Sequence, residues 1–149
     1  MELVRKRFEE LSLNELYDIL KLRVDVFVVE QNCPYHEIDD VDKAAYHVYL
    51  KDDEGIQAYL RVIPAGVAFA EVAIGRVVAR RRQCGLGTQV LAAGIQTAVD
   101  ALNATKIELE AQVYAKSLYE KAGFKQISDE FLEDGIPHIR MLLEIKQTS

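Results

Sequence analysis

A glycine-containing loop between a strand-like segment and a helix-like segment restricts the fold of this chain more than any other feature. The segment VAFAEVAIGRVVA, residues 67–79, is rich in β-forming residues, and ARRRQCGLGT, residues 79–88, follows it. In GLGTQVLAAGIQTAVDAL, residues 85–102, apolar side chains recur every three or four residues, as in a helix that packs on one face. A strand, a glycine turn and a helix in this order predict an α/β or α+β domain with a single sheet.

The remaining elements are predicted from capping, turn and periodicity signals. Ser12 and Glu15 fit a capping box at the start of a helix, and Gly123 fits the residue that follows a helix. Two β-rich segments, AYHVYL and IQAYLRVI, are separated by the turn-forming residues KDDEG and predict a hairpin. The predicted order is a helix from LSLNELYDILKLRVDVF, this hairpin, the strand of 67–79, the helix of 85–102, a strand from KIELEA, a helix from YAKSLYEKAG, and strands from FKQIS and HIRMLLEI. With 149 residues and no visible linker, residues 1–149 are expected to form one domain.

The glycine loop has the properties of an anion site. A helix N-terminus presents free N–H groups and partial positive charge, and glycines allow a phosphate to approach the backbone. Arg80, Arg81 and Arg82 add positive charge beside it. The loop has no Gly-Lys-Ser/Thr, and Val90 stands where a dinucleotide-binding fingerprint needs its third glycine. The alternative is a flexible helix start whose arginines are solvated.

Charge and cysteine content exclude several classes of function. The net charge is −6 at pH 7, which argues against nucleic acid or an anionic membrane as the main partner. The two cysteines, Cys33 and Cys84, have neither zinc-type spacing nor the number for a disulfide framework. His36 and His47 stand alone, so no metal site is expected. With no apolar signal-peptide run at the N-terminus, a cytoplasmic location is expected.

Three motifs resemble one family. Arg82-x-x-Gly85-x-Gly87 and AKSLYEKAGF, residues 115–124, resemble motifs of the GNAT family of acyl-CoA N-acyltransferases. The segments LRVDVFVVEQNCPYHEIDDVD, residues 22–42, and FLEDGIPHIRM, residues 131–141, resemble its ElaA-type subgroup. The resemblance implies a GNAT fold: a mixed, mostly antiparallel sheet of six or seven strands, about four helices, and a V-shaped split between strands 4 and 5. The stretch before the glycine loop is about two residues shorter than is usual in the family.

The resemblance also implies acetyl-CoA as co-substrate, bound at the split and at the glycine loop. Val77, Val78 and Ala79 would pair with the pantetheine amides, and Gln112 stands where the family commonly has Asn. The pyrophosphate would be held by the loop and by the arginine of the motif, namely Arg82, Gln83, Cys84, Gly85, Leu86, Gly87 and Thr88.

By the same resemblance the reaction is direct attack of a primary amine on the thioester in a ternary complex. Tyr119 matches the family's usual acid for the departing thiolate, although a packed tyrosine would fit the same pattern. Glu71 is expected on strand 4, either as a general base or merely as a polar residue on an exposed face. The alternative function is a non-catalytic module that binds acyl-CoA or another anion.

The acceptor is expected to be a small amine or a protein amino group, and a homodimer is a family expectation. Glu30, Gln31 and His138 are candidate acceptor-binding residues, with a surface histidine as the alternative for His138. The acidic residues Glu37, Asp39 and Asp40 flank the same expected cleft, and solvated loop acids are the alternative explanation for the aspartates.

Overall fold

The computed structural model describes residues 1–32, 36–81 and 84–146. The strands are β1 (Glu2–Arg7), β2 (Tyr46–Asp52), β3 (Gly55–Ile63), β4 (Val72–Ala79), β5 (Lys106–Gln112), β6 (Lys125–Gln126), β7 (Phe131–Glu133) and β8 (Ile136–Glu144). The helices are α1 (Leu13–Arg23), α2 (Val41–Ala44), α3 (Leu86–Leu102) and α4 (Lys116–Lys121). A wider π-helical segment, Val24–Glu30, continues α1.

The strands form one mixed sheet with the expected topology. Within the described residues it has eight strands in the order β1-β2-β3-β4-β5-β8-β6, with β7 paired to β8. There β4 and β5 run parallel, while the other neighbouring strands are antiparallel. The fold expected from the family resemblance is confirmed, with β1 and β7 as additions that the sequence patterns did not predict.

Helix α1 begins where the capping box predicts. Ser12 Oγ accepts a hydrogen bond from the Glu15 N–H at 3.0 Å, and Glu15 Oε1 accepts one from the Ser12 N–H at 2.8 Å. The α-helical part ends at Arg23, earlier than the predicted Phe27, and the chain then winds as a π-helix. Wider turns of this kind occur frequently at functional sites. No helix of the described ranges is both long and apolar enough to cross a membrane.

Helix α3 packs closely on the sheet. Its buried residues include Val90, Leu91 and Ala98, which join the main apolar core. A Cβ atom added at Gly94 would lie 2.7 Å from Leu60 Cδ1 on β3. A larger residue at this position would therefore force the Leu60 side chain to shift.

Strand β4 is shorter than predicted and separates from β5. A turn closed by the Gly66 N–H on the Phe69 carbonyl, at 2.7 Å, occupies the first part of the predicted strand. Pairing with β5 in the described structure consists of Val72 with Ile107 and Ala73 with Glu108. Beyond these pairs the two strands diverge, which produces the expected V-shaped split.

A β-bulge reinforces this divergence. The register between β3 and β4 shifts between Tyr59 and Arg61. On β4, Arg76 adopts a positive φ of 54° at this shift. The sequence predicts a bulge or a close backbone approach at Gly75, and the bulge lies one residue further on. Bulges bend a strand and redirect its side chains, and here Arg76 is turned toward the acidic residues that follow the π-helical segment.

Candidate active site

A cavity of about 320 Å³ lies at the split between β4 and β5. The β4 side contributes Ile74, Gly75, Arg76 and Val77, the β5 side contributes Leu109, Glu110 and Gln112, and the β7–β8 hairpin contributes Glu133, Asp134, Ile136 and His138. Further walls come from Phe27, Gln31, Arg61, Ile63, Ala68, Phe69, Tyr114, Ala115 and Tyr119. Segments from most of the chain therefore converge on one space, as is typical of a binding or active site.

Tyr119 is placed at this cavity by helix α4. Its side chain is only 7% exposed and its ring packs edge-on against Phe124, with centroids 6.0 Å apart. Burial, with a smaller contribution from Tyr114, raises the pKa of Tyr119 above its ordinary value. The phenol therefore keeps its proton at neutral pH, as a proton donor must.

Two of the predicted site residues contact each other. Gln31, just after the π-helical segment, and Gln112, at the end of β5, form two reciprocal side-chain hydrogen bonds of 3.2 Å. This amide pair joins the N-terminal wall of the cavity to its β5 wall. Glu30, by contrast, is exposed and is not one of the described residues that line the cavity.

His138 lines the cavity from β8. Its Nδ1–H donates to the Ile136 carbonyl at 2.7 Å, because a carbonyl can only accept. The ring stacks on Phe131 with centroids 6.1 Å apart, and Nε2 lies 3.9 Å from Glu133 Oε2. The packing and hydrogen bond fix the ring orientation, so His138 is a cavity residue rather than a freely solvated one.

Glu110 is a cavity residue that the sequence reasoning missed. It lies on β5, is half-buried, and lines the cavity together with Glu133 of β7. Burial first, and then the hydrogen bond and charge of Glu133, raise the pKa of Glu110 to about 7, against the opposing charge of Arg140. The available signal was the alternation in KIELEA, which places Glu108 and Glu110 on the face opposite the buried apolar residues.

The glycine loop begins α3 as predicted. Gly85 adopts a left-handed conformation, with φ 78° and ψ 0°, directly before the helix. Its carbonyl accepts the Gln89 N–H at 3.0 Å, so the N–H groups of residues 86–88 belong to the first turn and point out of the helix end. Cys84 is exposed. Arg82 and Gln83 lie outside the described residues.

Arg80 and Arg81 contact the β2–β3 hairpin. Arg80 Nε donates to the Ile56 carbonyl at 2.9 Å, and Arg81 Nη2 lies 3.2 Å from Glu54 Oε2. These contacts direct both side chains toward the hairpin.

Glu71 lies one residue before β4, so the expectation that it stands on this strand is wrong. The turn centred on residues 64–69 delays the start of the strand, and Glu71 is not one of the described residues lining the cavity. Its role as a base remains a prediction.

A buried ion cluster adjoins the cavity. We define it as Arg23, Glu37, Asp39, Asp42, Arg61 and Arg76. Arg23 is fully buried and binds Glu37 Oε1 at 2.8 Å and Asp42 Oδ1 at 2.7 Å. Arg61 binds Asp42 and Asp39, at 2.9 and 2.7 Å from its Nη1, and Arg76 Nε lies 2.7 Å from Glu37 Oε2.

The cluster corrects one interpretation of the loop acids. Asp39 is ion-paired rather than simply solvated, whereas the side chain of Asp40 is 99% exposed. His47 packs nearby, fully buried, with Nε2 donating to the Asp42 carbonyl at 2.9 Å and Nδ1 accepting from the Tyr59 hydroxyl at 2.7 Å. Burial lowers the pKa of His47, so the ring is neutral. Across the described ranges, no cluster of three His, Cys, Asp or Glu residues is arranged to hold a metal ion.

Comparison with known proteins agrees with this geometry. The family model described as "Acetyltransferase (GNAT) domain" matches residues 15–145. A UPF0039 protein of Schizosaccharomyces pombe is 42% identical over 149 residues, which cover 97% of this chain and 98% of the relative. The crystal structure of an acyl-CoA N-acyltransferase from Pseudomonas aeruginosa superposes with a TM-score of 0.89 and 37% identity, covering 96% of this chain and 99% of that one. Escherichia coli ElaA superposes with the same TM-score and coverage at 33% identity. The chain therefore belongs to the GNAT acetyltransferase family, whose members use acyl-CoA as co-substrate, and its relatives include ElaA.

Proposed function

We propose that this protein transfers an acetyl group from acetyl-CoA to a primary amine by direct attack in a ternary complex. The observation that carries this proposal is that Tyr119 and the diverging part of β4 border one cavity. Family membership gives acyl transfer from acyl-CoA; the acetyl group and the amine acceptor are the proposed specifics.

Two main-chain features fit an acyl-CoA molecule. Beyond Ala73, the described part of β4 has no ladder partner on its β5 side, so Val77 to Ala79 offer backbone groups to the pantetheine amides. The first-turn N–H groups of α3, after left-handed Gly85, suit the pyrophosphate. Bound acyl-CoA would supply the thioester carbonyl carbon that the amine attacks.

The residues of this chain would then handle protons and position. The neutral amine nitrogen attacks the carbonyl carbon, the C–N bond forms, and the C–S bond breaks. The Tyr119 phenol donates its proton to the departing sulfur, and burial keeps that proton in place until the sulfur develops charge. Glu110 and Glu133 line the cavity, and their negative charge attracts a cationic amine.

The experiment combines binding and turnover. We expect acetyl-CoA to bind in a calorimetric titration, and thiol to be released when a panel of primary amines is added. Binding without thiol release from any amine would favour the alternative, a non-catalytic acyl-CoA-binding module. Absence of acetyl-CoA binding would contradict both.

Tyr119→Phe tests the assigned proton donor. Loss of a positioned acid typically lowers a rate by about 10²- to 10⁴-fold, and we expect kcat to fall by about 10²-fold while the acetyl-CoA Kd changes little. Tyr17→Phe is the matched control, because Tyr17 is 68% exposed on α1. An unchanged kcat in Tyr119→Phe would remove this residue from the mechanism.

A further inference from the structure

We propose that Glu110 and Glu133 form a carboxyl pair that holds one proton between them, and that Glu110 is the base that deprotonates the acceptor ammonium. This inference rests on the proposed amine acyltransfer, because a primary amine enters as an ammonium ion and attacks only when neutral. It assigns the base to β5, not to the residue before β4 that the family resemblance indicates.

The geometry brings the two carboxyl groups together from different strands. Glu110 belongs to β5 and Glu133 to β7, and β8 lies between these strands in the sheet. Both side chains line the cavity that contains Tyr119, and Glu133 is close enough to raise the pKa of Glu110. A hydrogen bond between two carboxyl groups requires that one of them carries a proton.

The charges around Glu110 favour retention of this proton up to a pH near neutral. Arg140 stands opposite Glu110 in the β5–β8 register, but its guanidinium forms an ion pair with Glu108. Arg140 is therefore shared between two carboxylates, and Glu133 adds a third. The charged and titratable groups that face Glu110 or share its cavity are Glu108 on β5, Glu133 on β7, Asp134 in the following turn, His138 and Arg140 on β8, Arg61 on β3, Arg76 on β4, and Tyr114 and Tyr119 beyond β5.

The other acidic residues near the cavity are less suitable than Glu110 as the base. Glu71 does not line the cavity. Glu37 and Asp42 are buried and already bound in ion pairs with Arg23. A base needs a pKa close to the working pH, and among these acids Glu110 combines a place at the cavity with a raised pKa.

The proton balance of the reaction is complete with these groups. The ammonium gives one proton to ionised Glu110, which leaves the neutral amine and a protonated carboxyl group hydrogen-bonded to Glu133. The amine forms the C–N bond, the C–S bond breaks, and Tyr119 protonates the sulfur. The second proton lost by the nitrogen restores the phenol of Tyr119, and Glu110 releases its proton to solvent. The net reaction yields the amide, the free thiol and one proton.

His138 is the residue from which the base must be distinguished. Its Nδ1–H donates to the Ile136 carbonyl, so Nε2 holds the lone pair of the neutral ring, 3.9 Å from Glu133 Oε2. Histidine is the side chain that most often changes charge near neutral pH, so a simple pH profile does not distinguish the two residues. The experiment therefore needs a variant of each residue.

The test is the pH dependence of kcat/KM between pH 5 and 8.5, with an alkylamine that stays protonated throughout. For the wild-type protein and His138→Gln we expect activity to rise with pH, with a midpoint near 7. In Glu110→Gln this rise with pH, the ascending limb of the profile, should disappear, and kcat/KM should fall by at least about 10²-fold. Glu133→Gln should move the limb to lower pH, because removing the neighbouring negative charge eases ionisation of Glu110. Glu130→Gln, an exposed glutamate in the segment before β7, is the matched control and should behave as wild type.

A second measurement separates this inference from the proposed function. Carboxyl carbon NMR of labelled glutamate should show one resonance titrating near pH 7, absent in Glu110→Gln and shifted to lower pH in Glu133→Gln. A limb that survives in Glu110→Gln but disappears in His138→Gln would overturn the assignment. Glu110 titrating at the ordinary pH of a glutamate would overturn the shared proton. Absence of turnover by the wild-type protein with every amine would contradict the proposed function, and the base role with it, whereas the shared proton is judged by NMR alone.

Discussion

The buried ion cluster and the Glu110–Glu133 pair border the same cavity but balance their charges differently. In the cluster, Glu37, Asp39 and Asp42 are matched by three arginines at distances of 2.7 to 2.9 Å. In the pair, two carboxyl groups face each other, and the nearby arginine is already bound to Glu108.

This difference separates a structural role from a chemical one. Each carboxylate of the cluster is bound by an arginine, so the cluster can fix the chain after the π-helical segment against β3 and β4. Glu110, which lies beside a second carboxyl group, changes its protonation near neutral pH, which costs stability and allows it to accept a proton from a substrate.

The largest expected effect comes from breaking the cluster at its fully buried arginine. Arg23→Met removes the fully buried partner that Glu37 and Asp42 share and leaves them with Arg76 and Arg61, and loss of one member of a buried ion pair typically costs about 3–5 kcal/mol. Urea unfolding of both proteins measures the change in the free energy of unfolding. Arg81→Met is the matched control, because the Arg81–Glu54 pair is largely exposed and we expect a change within about 0.5 kcal/mol. Equal effects from both variants would contradict the structural role of the cluster.

A smaller effect is expected at the open edge of the cluster. Asp39→Asn removes the charge that faces Arg61 and Arg76, and we expect a loss of about 1 kcal/mol at pH 7. Burial acts to raise the pKa of Asp39, but the hydrogen bond and charge of Arg61, with the charge of Arg76, lower it overall. The stabilisation is therefore present above the unfolded-state pKa of about 4 and is lost as the pH falls through the lower folded-state value. Unfolding curves of variant and wild type should converge in acid, and a constant gap would contradict this account.

An effect of similar size but opposite sign is expected at the carboxyl pair. Glu110 holds its proton more tightly in the folded protein than in the unfolded chain, so its contribution to stability falls as the pH rises from about 4 to about 7. Glu110→Gln removes this loss of stability at higher pH, because glutamine does not ionise. Because Glu110 is only half-buried, we expect a gain of about 1 kcal/mol, or about 2–4 °C in Tm, at pH 8 and little gain at pH 5. Calorimetric melting at both pH values measures it, and a larger gain at pH 5 would show that the sign is wrong.

The sequence predicts elements whose signals are local. The Ser12–Glu15 capping box, the KDDEG hairpin turn and Gly85 before α3 each depend on a few adjacent residues, and the structure confirms them. Strand β1 was missed because five of the six residues of ELVRKR are not buried, so its strand character comes from pairing with β2.

The functional residues that were missed or misplaced depend on distant partners. Glu110 becomes a candidate base only when β7 brings Glu133 beside it, and the two are far apart in the sequence. The burial of Glu37 depends on Arg23. Glu71 was placed on a strand because the apolar run of residues 67–79 hides the turn within it.

The amide pair of Gln31 and Gln112 has a consequence for how the cavity forms. It joins residues 81 positions apart in the chain, and the entropy of closing a long loop must be offset before such a contact becomes favourable. The β2–β3 hairpin closes locally, so we expect it to form early, while the two walls of the cavity meet late. Recovery of ligand binding during refolding should therefore lag behind recovery of the β-sheet signal, and a chain cut between these glutamines must reassociate before it can bind.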